Sequence, residues 1–173
     1  MTGVHLLAVD PGPEQSAFVA YRDGSLVEFG KVDNAELLAR LWRPRDPGPE
    51  HHLAIEMIAC YGMSVGKSVF DTCVWIGRYI EAWGAAYTLI PRHDVKMHLC
   101  HTKNSSDSNV REALIDRWGG KTKALGTKAD RKLKQPATAG PLSGVAGDVW
   151  AALAVAVTWS DAHGNGADLR ALP

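Results

Sequence analysis

The sequence predicts an α/β domain built on a mixed five-stranded sheet with helices on both faces. Three observations lead there. Three short apolar runs crowd into the first 32 residues, the second and third separated by Asp23-Gly24, a hairpin-turn signal. Helical and strand patterns then alternate, the order expected of parallel crossover units. Two of the predicted strands end in a carboxylate, Asp10 in LAVDPG and Glu56 in LAIEMI, and such an acid is costly to bury without a partner.

The 173 residues suit one domain spanning 1–173. Hydrophobic residues make up 46% and charged residues 22%, which argues against wholesale disorder. No uncharged apolar run approaches the roughly 18 residues of a membrane span, and the N-terminus lacks a basic segment leading into an apolar one. A soluble cytoplasmic protein is expected. Cys60, Cys73 and Cys100 are odd in number and far apart, so a disulfide framework is not expected. The net charge is zero, but residues 111–140 carry eight bases against three acids, and such a local excess can serve a polyanion.

The first strand is Val4 to Asp10, turned away by Pro11-Gly12. Ser16 to Arg22 and Leu26 to Val32 complete an antiparallel meander. Asp33 caps a helix, with Glu36 closing a capping box and Leu37, Leu38, Leu41 and Trp42 as its apolar face. After a proline-rich loop, Leu53 to Ile58 is the fourth strand, parallel to the first.

A long helix from Val65 to Trp83 has Val69, Cys73, Ile76, Ile80 and Trp83 as its stripe. Phe70 and Val74 lie on another flank, and Trp75 and Tyr79 widen the apolar surface. Such a helix is either covered on several sides or presents a self-association face. Tyr87 to Ile90 is the fifth strand, stopped by Pro91. Short helices follow at Asp94 to Leu99 and Asp107 to Trp118, then a long basic loop over Gly119 to Ser143. An apolar helix opened by Asp148 and ending at Trp159 closes the fold.

Parallel neighbours ending in Asp10 and Glu56, with Asp148 delivered by the last helix, bring three carboxylates to one sheet edge. Singly, each has an ordinary explanation: a turn, a pairing with a lysine, a helix cap. Together they repel unless hard cations neutralise them, which points to Mg²⁺ or Mn²⁺ and to water activated against a phosphodiester.

Gly62 to Ser68, GMSVGKS, is one residue short of a phosphate-binding loop. Lys67 is therefore a surface or DNA-facing lysine, and a nucleotide hydrolase using this loop ranks far behind. His98, Cys100 and His101 are too crowded for structural zinc. Lys121, Lys123, Lys128, Arg131, Lys132 and Lys134 can neutralise several phosphates just before Asp148.

LAVDPG, LAIEMIACYGM, HDVKMHLC and GVAGDVWAALAVAVTW, in this order over most of the chain, resemble the motifs of RuvC-type Holliday junction resolvases, and in particular their phage-encoded relatives. The resemblance implies a ribonuclease H-like fold and a homodimer, for which the apolar flanks of the 65–83 helix are the expected interface. It implies divalent metal, two ions per active site, and paired nicks in a four-way junction; the branched DNA expected as partner is such a junction, a fork or a flap. A phage origin would place the protein in the host cytoplasm.

By position, Asp10, Glu56 and Asp148 match the family's metal ligands and Lys96 its lysine near the scissile phosphate. Tyr61 matches the segment that enters the junction centre. Two departures stand out. Ala151 replaces a further acid one turn along the last helix, and Ser106, Asp107 and Ser108 stand where the family tends to have a lysine, with Lys103 the nearest substitute. The alternative is a branched-DNA-binding module with a degenerate site.

Overall fold

The computed structural model describes residues 4–44, 50–59, 65–127 and 139–164. Strands β1 (His5–Asp10), β2 (Gln15–Arg22) and β3 (Ser25–Asp33) form the expected meander. Asp23 and Gly24 both adopt positive φ, 48° and 79°, the backbone of the two-residue turn whose twist suits a hairpin. Helix α1 (Asn34–Leu41) leads to β4 (His51–Met57), which pairs in parallel with β1, and α2 (Lys67–Trp83) leads to β5 (Tyr87–Pro91), parallel to β4. The sheet order is β3-β2-β1-β4-β5. Helices α3 (Arg92–Cys100), α4 (Asp107–Arg117), α5 (Lys121–Leu125) and α6 (Val149–Gly164) complete the described chain.

Alternation along the strands divides the core in two. Val9, Phe18, Leu53 and Ile55 face α1 and α2, where Leu37, Leu41, Ile76 and Tyr79 cover them. Ala8, Ala17 and Ala54 face α6 and pack with Ala152, Leu153 and Ala156. Three alanines on this face leave room for an alanine-rich helix to lie close against the sheet, so α6 is buried along most of its length. Its first turn therefore reaches the sheet edge where β1 and β4 end.

Several local expectations are corrected. Asp33 precedes α1 but makes no capping hydrogen bond. Its carboxylate accepts from Gln15 Nε2 at 2.9 Å, and Glu36 pairs with Arg40. The capping box occurs instead at α4, where Ser106 and Asn109 satisfy each other's backbone N–H groups. Trp42 lies past the end of α1 and is exposed. The buried stripe of α2 is Thr72, Ile76, Tyr79 and Trp83, rotated from the expected one, and Cys73 is exposed. The supposed loop 119–143 contains α5, whose Ala124 and Leu125 are buried in the same core as Leu142. A five-residue helix is too short to register as helical periodicity.

Candidate active site

Asp10 and Glu56 are each one residue beyond the last β1–β4 pair, Val9↔Ile55, and share the sheet face that α6 covers. The same cross-strand row continues outward on both sides. Asp10 opposes Ala17, which opposes Lys31, while Glu56 opposes Ile90 of β5. Asp148 immediately precedes α6, and its carbonyl accepts from Ala151 and Ala152 as the helix begins. A cleft of about 280 Å³ opens here, lined by Asp10, Glu56, Arg92, Asp107, Asp148 and Ala151 among others. The topology thus brings the three predicted acids to one cleft.

The turn after Asp10 is held by a buried polar cluster. Ser16 Oγ donates to Asn34 Oδ1 at 2.7 Å and accepts from the Tyr79 hydroxyl at 3.0 Å and from the Gly12 N–H at 3.3 Å. Asn34 Nδ2 donates to the Gly12 carbonyl at 2.9 Å. A Cβ on Gly12 would lie 2.4 Å from the Gln15 carbonyl oxygen, so only glycine fits this approach. The cluster ties the turn to β2, α1 and α2, and burial pushes the Tyr79 hydroxyl up to about 12.

Burial pushes the Asp10 carboxyl up to about 7, reinforced by the charge of Glu56, with Asp148 adding and Arg92 and Lys31 opposing. Glu56 is raised by burial against the pull of Arg92. Two basic residues that sequence reading missed hold the other carboxylates. Arg92 Nη1 donates to Glu56 Oε2 at 2.7 Å, and Lys31 Nζ donates to Asp148 Oδ2 at 2.7 Å. Arg92 also reaches Asp107, whose pKa falls mainly because it accepts that hydrogen bond.

Arg92 escaped notice because α3 was expected to begin at Asp94; it begins at Arg92, two residues after the strand partner of Glu56. The available signal was parity. Lys31 falls on the same sheet face as the acids once the register is known, whereas Arg92 opens α3 immediately after β5.

Among the described residues, no three His, Cys, Asp or Glu side chains are grouped to hold a metal ion, because Glu56 and Asp148 are turned onto basic partners. The donor chemistry nevertheless suits a hard divalent cation. Asp10, destabilised as an anion by burial and by its neighbours, is the kind of carboxylate that a nearby cation returns to its charged form.

Lys96 lies beside the cleft, its Nζ 3.7 Å from Asp107 Oδ1. Lys67 is exposed at the start of α2 and pairs with Asp71 at 2.6 Å. Lys103 is exposed between α3 and α4, and Lys121 and Lys123 are exposed on α5. Tyr61, Lys128, Arg131, Lys132 and Lys134 lie outside the described residues. His98 pairs with Asp161 at 2.8 Å, and His101 ends α3 in the left-handed region.

The fold matches known structures over nearly the whole chain. The Thermus thermophilus RuvC structure aligns with a TM-score of 0.62 at 14% identity, covering 93% of this chain and 96% of that one. T. thermophilus RuvC in complex with a Holliday junction substrate aligns with a TM-score of 0.58 at 16% identity, covering 94% and 96%. The likeness at this identity is one of fold, and it bears out the ribonuclease H-like architecture that the motif resemblance implied. No protein-family model matches the chain, and no curated protein does.

Proposed function

We propose that this chain is a single-domain, metal-dependent, structure-selective DNA endonuclease that resolves Holliday junctions or related branched DNA by paired phosphodiester hydrolysis. The observation that carries the reading is the shared cleft of Asp10, Glu56 and Asp148 at the end of parallel strands, on a fold shared with a protein whose structure is known with a Holliday junction.

Asp10, Glu56 and Asp148 hold Mg²⁺ or Mn²⁺, two ions per active site, which when bound supply polarisation of the phosphate and an attacking water of lowered pKa. Lys96, beside the cleft, stabilises negative charge on the phosphate. Lys121 and Lys123, with Lys128, Arg131, Lys132 and Lys134, follow the DNA backbone, and Lys67, Lys103 and Tyr61 extend the contact. Phosphate contacts carry little sequence information, so selectivity comes mainly from junction shape. The chain acts as a homodimer through α2, where Phe70 and Val74 are 62% and 61% exposed, so that two sites act on one junction.

The test is cleavage of a labelled four-way junction, beside a linear duplex and a fork, in Mg²⁺ or Mn²⁺. Paired symmetric nicks by the wild type, lost in Asp10→Asn, are the expected result. Junction binding without cutting in either metal would overturn the enzyme and leave a binding module.

A further inference from the structure

Arg92 makes a two-pronged contact that spans the cleft from floor to rim. Its Nη1 meets Glu56, whose side chain is only 12% exposed, and its Nη2 meets Asp107 Oδ1 at 2.6 Å, on a side chain 75% exposed. Asp107 is the first residue of α4, and its position is fixed by the capping box just before it. The guanidinium therefore has one anchor among the buried acids and one at the surface, where DNA would approach.

We propose that Arg92 is the resident counter-ion of the cleft: it competes with the divalent cation for Glu56 and, once displaced, stays tethered to Asp107 at the rim, where it takes a phosphate oxygen of the DNA. The proposal rests on the nuclease reading of the cleft.

Charge balance gives it direction. Without metal, Glu56 and Asp148 are compensated by Arg92 and Lys31. A dication at Glu56 releases a guanidinium that has lost its buried partner, and a phosphodiester is the anion that restores balance. Arg–phosphate pairing is geometrically suited to the prong left free. Metal and DNA then assist each other through one side chain, and the assistance is reciprocal. The same device keeps the acids from repelling one another while the cleft is empty of substrate.

The first measurement is calorimetric titration of Mn²⁺ into wild type, Arg92→Gln and Arg92→Lys without DNA. Removing the competitor should tighten Mn²⁺ binding about fivefold or more in Arg92→Gln, with Arg92→Lys between it and wild type. In parallel, anisotropy with an uncut four-way junction in EDTA and in Ca²⁺ should show the cation strengthening wild-type binding more than Arg92→Gln binding.

Unchanged or weaker Mn²⁺ binding by folded Arg92→Gln would overturn the proposal. If that variant fails to fold, the wild type itself decides: the Arg92 guanidinium NMR signal should shift as Mg²⁺ saturates the protein, and a signal that stays put overturns the exchange. A wild type that cuts no junction while Arg92→Gln still binds Mn²⁺ more tightly would retire the nuclease reading and leave the counter-ion in place.

Discussion

Lys31 on β3 and Asp148 at the start of α6, 117 residues apart in sequence, are joined by a 2.7 Å ion pair. Lys31 reaches across because Ala17, the strand residue between it and Asp10, has almost no side chain. Both partners are about half exposed, 44% and 53%, so solvent weakens the attraction. Lys31→Met should therefore change unfolding free energy by less than about 1 kcal/mol in a urea melt. A loss of several kcal/mol would mean that the pair holds α6 onto the sheet.

Asp10→Asn should stabilise the metal-free protein above pH 7. The folded-state pKa of Asp10 is pushed up to about 7 from 3.8, so the folded protein holds a proton there that the unfolded chain gives up. The associated stability is fully present below about pH 3.8 and is lost as pH rises through about 7. Asparagine keeps the size and never ionises. At pH 8 in EDTA, thermal and urea melts should show a gain of about 4 kcal/mol, shrinking toward zero near pH 4. Equal stability at both pH values would contradict the burial of Asp10 beside Glu56.

Histidine 52 should produce the opposite slope. Burial, with a further push from His163, holds its imidazole down to about 4 from 6.5; its ring packs against Trp159, and its Nε2 hydrogen-bonds with the Thr88 hydroxyl at 2.9 Å. As pH falls from about 6.5 to 4, the unfolded chain takes up a proton that the folded one refuses, and stability is lost. Asp10 gains stability over much of this range, so the informative quantity is the difference between wild type and His52→Gln. That difference should move by about 1–2 kcal/mol between pH 7.5 and pH 4.5, and a flat difference would refute the assignment.

The cluster beneath Gly12 links stability to the site. Ser16 and Asn34 are both 1% exposed. Ser16→Ala would leave Tyr79, Gly12 and Asn34 without a shared partner, at a cost of about 1–3 kcal/mol. Tyr79→Phe removes one hydroxyl and should cost less, about 1 kcal/mol. Because the cluster secures the turn after Asp10, Ser16→Ala should also slow junction cleavage under conditions where the variant remains folded. Unaltered cleavage would show that Asp10 is positioned by the strand alone.

The apolar flank of α2 makes the oligomeric proposal testable without DNA. Phe70→Glu with Val74→Glu should convert a sedimenting dimer to a monomer while changing thermal stability little, since both residues are exposed in the single chain. A monomeric wild type, or a dimer indifferent to these changes, would remove α2 from the interface.

The sequence by itself determined the sheet and its acids. Alternation and the Asp23-Gly24 turn specified the meander, crossover lengths specified parallel β4 and β5, and the ends of β1 and β4 put Asp10 and Glu56 together, because strand polarity and register follow from local pattern. Motif order was enough to anticipate a fold that the structural comparison bears out. What only the tertiary structure decided was which cations meet those acids. Lys31 and Arg92 come from elements far from their partners in sequence, and the start of α3 had to be known to within two residues for Arg92 to face Glu56. The helical stripe of α2 and the fold of α5 were likewise settled by packing, since a helix rich in apolar residues all round does not announce its buried side. Local periodicity encodes strands and turns, whereas ion pairing depends on distances that exist only once the chain has closed on itself.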